Sequence, residues 1–489
     1  MTSISYAGDQ HHRQRWLPIL LTICLAEIIF VLESMMMFAA MPRAMAENSG
    51  SAAAGWLITA YFIVSAASAA LCSVLGDRYG RKRMLMIVFC GAAFGSIVSA
   101  THDELSWIIA GRAIQGLAGA ILPLCYGLVK ENLPPGKMAF GIGALSASGT
   151  IGSSAGFILA GIIIDNGHWQ QIFTLSAVLS FAMAGVCAIV LPRSPKRIAG
   201  RLDILGGVLF VPGILAVMYA VSVVKVIGWS ALAYAGPGIA ILVAWLFIEL
   251  RHSNPLINVR LFRVREIFLS NLLVMFVFLG AFYLEQVYPL LMQNPPSTGI
   301  GFGLSATATG LIKLPSALLV ACSALLAGPM VTRWGPRPLI VSCAIAIIAC
   351  WLGLLIATSF WLTVLLCLVL PIFIVMLATG AVSVIVAAAP SDRTSEAAGM
   401  NGVLNAIAKG IGGIFVASLL ATTTLSVEGQ AGVFPSPDSF RLVYFYMIAT
   451  GVCVLLAGLA LPTRGAQRPA KKASSHSEAP GAPGASAEH

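Results

Sequence analysis

Six ionisable side chains stand inside long apolar stretches of this sequence: Glu27, Glu33 and Glu285 among the acids, Arg112, Lys313 and Lys409 among the bases. At the middle of a membrane span each costs about 2.5 to 3.5 kcal/mol, so each needs a partner or a task. Equal numbers of acids and bases fit two kinds of chemistry. One is static pairing that locks helices together. The other is proton carriage, in which a buried carboxylate takes up a proton from one side of a membrane and releases it to the other when a cation approaches. Rival chemistries lack their residues. The seven histidines (His11, His12, His102, His168, His252, His476 and His489) all fall in loops or tails, and the ten cysteines show no ligand-like spacing. No metal, disulfide or histidine relay is expected. No Gly-x-x-x-x-Gly-Lys-Ser/Thr loop occurs, so no cofactor is expected and uphill work must draw on an ion gradient or a partner.

A second group of residues is charged but local. In Ser73-Val-Leu-Gly-Asp77-Arg78-Tyr-Gly80-Arg81-Lys82-Arg83, four basic residues crowd a turn between two apolar runs. Such a cluster cannot enter hydrocarbon and marks a cytoplasmic loop. Asp77 among these cations either balances charge or acts as a latch.

The elements that position these residues must be membrane helices. The 489 residues are 58% hydrophobic and only 10% charged, with mean hydropathy +0.91. Soluble domains carry about 25% charge. The net charge of +10 is scattered among short loops rather than gathered on one soluble face, which excludes a nucleic-acid partner. Apolar runs of spanning length lie at about 16–40, 53–75, 84–101, 105–129, 138–164, 171–191, 204–224, 231–250, 267–291, 305–330, 338–357, 361–389, 398–421 and 441–462. They predict fourteen transmembrane helices, here spans 1 to 14, the first retained rather than cleaved. Of the 29 Lys and Arg, 23 fall in the N-terminal segment, the even-to-odd loops and the tail, against three (Arg43, Lys225 and Arg441) in the odd-to-even loops. Both termini are therefore expected in the cytoplasm, with lipid around the bundle.

The turn Gly328-Pro-Met-Val-Thr332-Arg333-Trp-Gly335-Pro-Arg337 repeats the Ser73 stretch, pairing Gly80 with Gly335 and Arg78 with Arg333. A repeated turn implies repeated bundles. The expected organisation is a cytoplasmic segment (1–15), an N-terminal six-helix bundle (16–192), an inserted helix pair of spans 7 and 8 with flanking loops (193–266), a C-terminal six-helix bundle (267–462) and a disordered cytoplasmic tail (463–489). Two parallel six-helix halves around a cavity is a transporter architecture.

Within this frame, Glu33 and Arg112 each fall about 12 Å below the outer surface, Glu285 and Lys313 at about 9 and 13 Å, and Glu27 and Lys409 near the midplane. Glu27 lies about 120° around its helix from Glu33, so the two do not both face one cavity squarely. Small residues at i, i+4 spacing, namely Ser65, Ala69 and Ser73, then Gly152, Gly156 and Ala160, then Ala398, Gly402, Ala406 and Gly410, mark close helix packing. They form either sliding seams between the halves or ordinary contacts within one. Phe276, Phe278, Phe282, Tyr283 and Tyr288 on span 9 line a pocket or belong to the core and lipid face.

The chain resembles the major facilitator superfamily, and specifically its fourteen-helix drug:proton antiporter family. Leu75, Asp77, Arg78, Gly80, Arg81 and Lys82 match the loop motif, and Arg112, Gln115, Gly116, Gly119 and Ala120 match the span 4 motif. Leu32-Glu33 running to Ala40-Met41-Pro42, Leu202-Asp203 with Gly206, and Glu249-Leu-Arg251 running through Pro255-Leu256 to Leu261-Phe262-Arg263 carry the family-level likeness. Three positions depart from it. Ser73 stands for a glycine, Glu33 for an aspartate, and the span 5 signature is reduced to Gly152-Ser153-Ser154-Ala155-Gly156.

The resemblance implies a proton-coupled exporter of small amphipathic compounds working by alternating access in a plasma or inner membrane. It implies proton coupling at Glu33 with Arg112, span 2 meeting span 13, span 5 meeting span 10, and Asp77 latching near Ser395 at the start of span 13. Glu285, read from the intramembrane charges themselves, is a better second proton or cation site than Glu27. The eroded span 5 signature keeps a symporter or metabolite exporter open. A membrane enzyme would need a His, Asp or Cys cluster that the sequence lacks. Whether an envelope-spanning adaptor takes part is undecided by these residues.

Overall fold

The computed structural model describes residues 16–48, 52–134, 137–193, 209–210, 212–217, 219–220, 230, 232–251, 259–389, 394–427 and 432–462. The expected terminal segments 1–15 and 463–489, and most of span 7, lie outside the described residues. So do the side chains of Asp77 and of Ser395, on which the latch depends.

The first half holds α1 (Trp16–Glu47), α2 (Trp56–Tyr79), α3 (Arg81–Ala100), α4 (Leu105–Gln115), α5 (Ile121–Asn132), α6 (Met138–Asn166) and α7 (Gln171–Val190). After α8 (Leu232–Arg251), the second half holds α9 (Arg265–Leu279), α10 (Leu284–Gln293), α11 (Ala306–Trp334), α12 (Pro336–Ile356), α13 (Phe360–Ala388), α14 (Thr394–Leu420) and α15 (Pro437–Leu459). Twelve helices of the described residues are long and apolar enough to cross a membrane. The expected all-helical chain gains one small feature, an antiparallel hairpin of β1 (Thr424–Ser426) and β2 (Val433–Pro435). Large apolar side chains such as Ile189, Trp361, Ile356 and Leu318 stay exposed on the outside, as hydrocarbon permits.

Two spans are broken where charge is placed. Between α4 and α5 the chain tightens into a 3-10 turn, Gly116–Ala120, and between α9 and α10 into Ala281–Tyr283. Arg112 and Glu285 lie beside these breaks. At Gly119 an added Cβ would stand 2.5 Å from the Ser65 carbonyl oxygen, so only glycine lets α2 and the break meet backbone to backbone. The repeated turn is repeated in conformation as well. Gly80 (φ 101°) joins α2 to α3 and Gly335 (φ 83°) joins α11 to α12, both in the region that favours glycine.

Gly80 and Gly335 mark one end of the bundle, the motif end. Contacts between the halves gather toward the other. There α2 packs on α14, α6 on α11 and α1 on α10. Thr59 Oγ1 donates to the Gly410 carbonyl at 2.9 Å, Gln293 Nε2 to the Ala39 carbonyl at 3.4 Å, and Asp165 accepts from the Ala306 and Thr307 N–H groups at 3.0 and 2.8 Å. The last is a carboxylate capping the N-terminus of a helix in the opposite half, where free N–H groups and the helix dipole favour it. This end is sealed.

Candidate functional site

In the first half, α1 carries Glu33, 3% exposed, and α4 carries Arg112, 2% exposed. They do not bond to one another. Glu33 Oε1 accepts from Ser180 Oγ of α7 at 2.6 Å. Arg112 donates from Nε to the Leu57 carbonyl at 2.9 Å and from a terminal nitrogen to Gln115 Oε1 at 2.9 Å, with its guanidinium 4.3 Å from the Tyr61 ring centre. Gln115 in turn donates to Ser96. Tyr61 is the hinge between the two networks, since Ser34, next to Glu33, bonds its hydroxyl at 2.8 Å. The carboxylate and the guanidinium thus share one polar layer while each keeps separate partners.

The second half behaves differently. Glu285, in the first turn of α10, and Lys313 of α11 form a direct ion pair. The Lys313 ammonium also lies 3.7 Å from the Phe157 ring centre on α6, tying the pair to the opposite half. Six residues before Glu33 on α1, Glu27 is 4% exposed and its Oε2 meets no hydrogen-bond partner among the described residues. Lys409 faces three rings, Phe62, Phe278 and Phe282. Of the span 9 aromatics, Tyr283 and Tyr288 are core residues whose hydroxyls bond to the Lys409 and Thr309 carbonyls.

The small-residue stripes require correction. Gly152 and Gly156 do not line a seam between the halves. A Cβ on either would meet α1 of their own half, 2.5 Å from the Ile28 and 2.7 Å from the Leu32 carbonyl oxygens. The seam of α6 runs along another face, where Gly161 meets Ala306 and Phe157 meets Gly310. Gly402 packs against nothing within 4 Å, whereas Gly410, two turns nearer the sealed end, rests on Ile63 at 3.0 Å. Among the loop-motif cations, Arg81 bonds the Gly127 carbonyl at 2.6 Å and pairs with Glu131 at 3.1 Å, and Lys82 bonds the Ala188 carbonyl at 2.7 Å at the C-terminus of α7. They brace the first half from within. Arg78 is exposed at the end of α2, its guanidinium 5.6 Å from the Tyr79 ring.

Sequence reasoning missed Asp165, Ser180 and Tyr61. Asp165 was legible as an acid just before a turn, but its partner lies 141 positions away. An apolar cavity of about 430 Å³ between α8 and α14, lined by residues such as Trp245, Leu246 and Ile407, contains no ionisable group and is separate from this chemistry.

Ionisable side chains set among long apolar helices, two of them, Lys313 and Lys409, meeting rings of the opposite half, mark a multi-pass membrane protein. The chain belongs to the Major Facilitator Superfamily, which it matches over residues 23–417 and again over 271–486. It is 27% identical over 446 residues to the tetracenomycin C resistance and export protein of Streptomyces glaucescens, covering 86% of this chain and 78% of that one. With the multidrug resistance protein Stp of Mycobacterium tuberculosis it shares 28% over 377 residues, covering 75% of this chain and 68% of that protein. The match to the uncharacterized MFS-type transporter YhcA of Bacillus subtilis, 25% over 341 residues, covers 68% of this chain and 63% of that relative's length. In fold it resembles the peptide transporter POT in complex with sulfate (TM-score 0.62, 15% identity, 90% of this chain and 93% of that one). It also resembles the human organic anion transporter MFSD10 (TM-score 0.57, 16% identity, 90% and 99%).

Proposed function

We infer that this protein is a proton-coupled secondary transporter of the multidrug efflux type, exporting small amphipathic compounds by alternating access. The observation that carries this reading is Glu33, a buried carboxylate whose hydrogen bond comes from a neutral hydroxyl while the nearby guanidinium of Arg112 is engaged elsewhere. Such a group can gain or lose a proton without breaking an ion pair. Two relatives, a tetracenomycin C resistance and export protein and a multidrug resistance protein, point the same way.

The protein sits in a plasma or inner membrane as fourteen spans, two six-helix halves (16–192 and 267–462) and an inserted pair (193–266), with both termini cytoplasmic. On that orientation the motif end, rich in Lys and Arg, faces the cytoplasm, and the sealed end faces outward. The state described is then inward-facing, and Asp77 engages the start of α14 when the motif end closes. Glu33 and Arg112 couple protons, with Glu285, Lys313, Glu27 and Lys409 as further polar groups of the pathway. The substituted signature Gly152-Ser153-Ser154-Ala155-Gly156 favours one second reading, a metabolite exporter or symporter on the same fold.

Purified protein in liposomes, offered cationic, neutral and anionic compounds, tests both. Export coupling predicts proton flux opposite to the compound's movement in wild type, reduced at least about tenfold in Glu33→Gln. Movement of the compound without counter-flow of protons in wild type would refute it, and proton flux in the same direction would establish the symporter.

A further inference from the structure

The Lys409 ammonium lies 4.6 Å from the ring centre of Phe278, 4.7 Å from Phe282 and 5.3 Å from Phe62. Phe62 belongs to the first half of the molecule and the other two rings to the second. The rings touch one another, Phe278 and Phe282 at 5.5 Å and Phe62 and Phe282 at 6.3 Å, and Phe38 closes over them 5.8 Å from Phe282. This is an aromatic cage around a monovalent cation, the arrangement that recognises ammonium ligands. Its occupant is the protein's own side chain, which among the described residues has no hydrogen-bond acceptor for any of its N–H groups.

An ammonium held by ring faces alone is loosely held, because a charge-assisted hydrogen bond to a carboxylate is the stronger partner. One stands nearby. Glu27 of α1 is within electrostatic reach of Lys409, and its Oε2 is buried without a partner. The other titratable groups within reach of Glu27 are Cys125 and Tyr126 of α5 and Tyr61 of α2, none of them a cation. Lys409 thus occupies the cage and has one carboxylate, Glu27, within electrostatic reach.

We propose that Lys409 is a tethered cation that competes with a monovalent organic cation for the Phe62–Phe278–Phe282 cage. A cation entering from solution drives Lys409 onto Glu27, which releases the proton it holds while the lysine fills the cage. The exchange balances. One positive charge enters, one proton leaves, and the ammonium and carboxylate finish as an ion pair. Protonation of Glu27 reverses each step, returning Lys409 to the rings and ejecting the ligand. This proposal rests on the proton-coupled export reading and names its substrate class.

The test is calorimetric titration of the full-length purified protein with benzyltrimethylammonium, in buffers of different ionisation enthalpy, with neopentylbenzene as the neutral isostere. Wild type is expected to release about one proton per bound cation. Lys409→Met should bind the cation at least about tenfold more tightly and release no proton. Glu27→Gln should bind it more weakly than wild type, again without proton release, because the displaced lysine has lost the carboxylate. Phe278→Leu should weaken the cation but not the isostere, and it serves if Lys409→Met does not fold. No binding by wild type, unchanged or weaker binding by Lys409→Met, or proton release that survives in Lys409→Met would each overturn the proposal. If liposomes nevertheless show proton-driven export, only the tethered cation falls. If the binding pattern holds while no compound moves against protons, the export reading falls instead.

Discussion

Glu33 with Arg112 and Glu285 with Lys313 are one acid and one base at comparable depth in each half, yet they are held differently. In the second half the two ions bond to each other and to a ring across the seam. In the first they hang from separate networks, Glu33 on Ser180 and Arg112 on Leu57, Gln115 and Tyr61. The difference separates a carboxylate held by a cation from one held by a hydroxyl. A directly paired carboxylate resists protonation, because losing its charge strands a buried cation. A carboxylate bonded to a hydroxyl can titrate while the fold stands.

The sharpest break of this contrast is Glu285→Gln. Removing one partner of a buried pair costs about 3 to 5 kcal/mol. The low end applies here, because the two side chains keep 16% and 12% exposure. A large drop in the unfolding midpoint is expected in detergent, largely restored in the Glu285→Gln, Lys313→Met double variant. Glu33→Gln keeps an acceptor for Ser180 and should leave the midpoint within a few degrees of wild type while, on the proposed reading, reducing proton flux at least about tenfold. Equal destabilisation by the two single variants would erase the distinction.

The next effect concerns the seam. Gly161 allows α6 to cross α11 where an added Cβ would come 2.6 Å from the Ala306 carbonyl oxygen. Gly161→Val should cost about 1 to 3 kcal/mol by overpacking. It should also pry open the sealed end, raising the labelling of a cysteine placed at Thr307. Asp165→Asn acts on the same seam more gently, weakening the cap on α11 by about 0.5 to 2 kcal/mol. Its labelling should rise in the same direction but less.

How much of this was legible depended on range. Apolar runs, loop charges and the Gly80/Gly335 repeat are local signals, and from them came membrane helices and the six ionisable residues inside them. Depth along a helix follows from counting residues, which brought Glu285 to Lys313. Azimuth does not follow from counting. Glu33 and Arg112 share a depth but point to different partners, and Gly152 and Gly156 turn toward α1 rather than across the seam. Ser180 and Tyr61 carry no sequence mark because an ordinary hydroxyl becomes a partner only through packing.

The smallest effect separates the two ends of a single helix. On α14, Gly410 rests against Ile63 near the sealed end, while Gly402 meets open space toward the motif end. Gly402→Ala should stabilise this state by about 0.4 to 1 kcal/mol, since it removes backbone freedom from the unfolded chain and meets no neighbour. The same change at Gly410 gains less, its Cβ falling 3.0 Å from Ile63. If the halves rock so that the motif end closes in the other state, a bulky residue at Gly402 becomes an obstacle only there. Gly402→Leu should then keep a near-normal unfolding midpoint and lose transport, whereas Gly410→Leu should lose both. Transport that survives Gly402→Leu would mean that α14 does not approach α2 at this level during the cycle, and the open stripe would be a static groove.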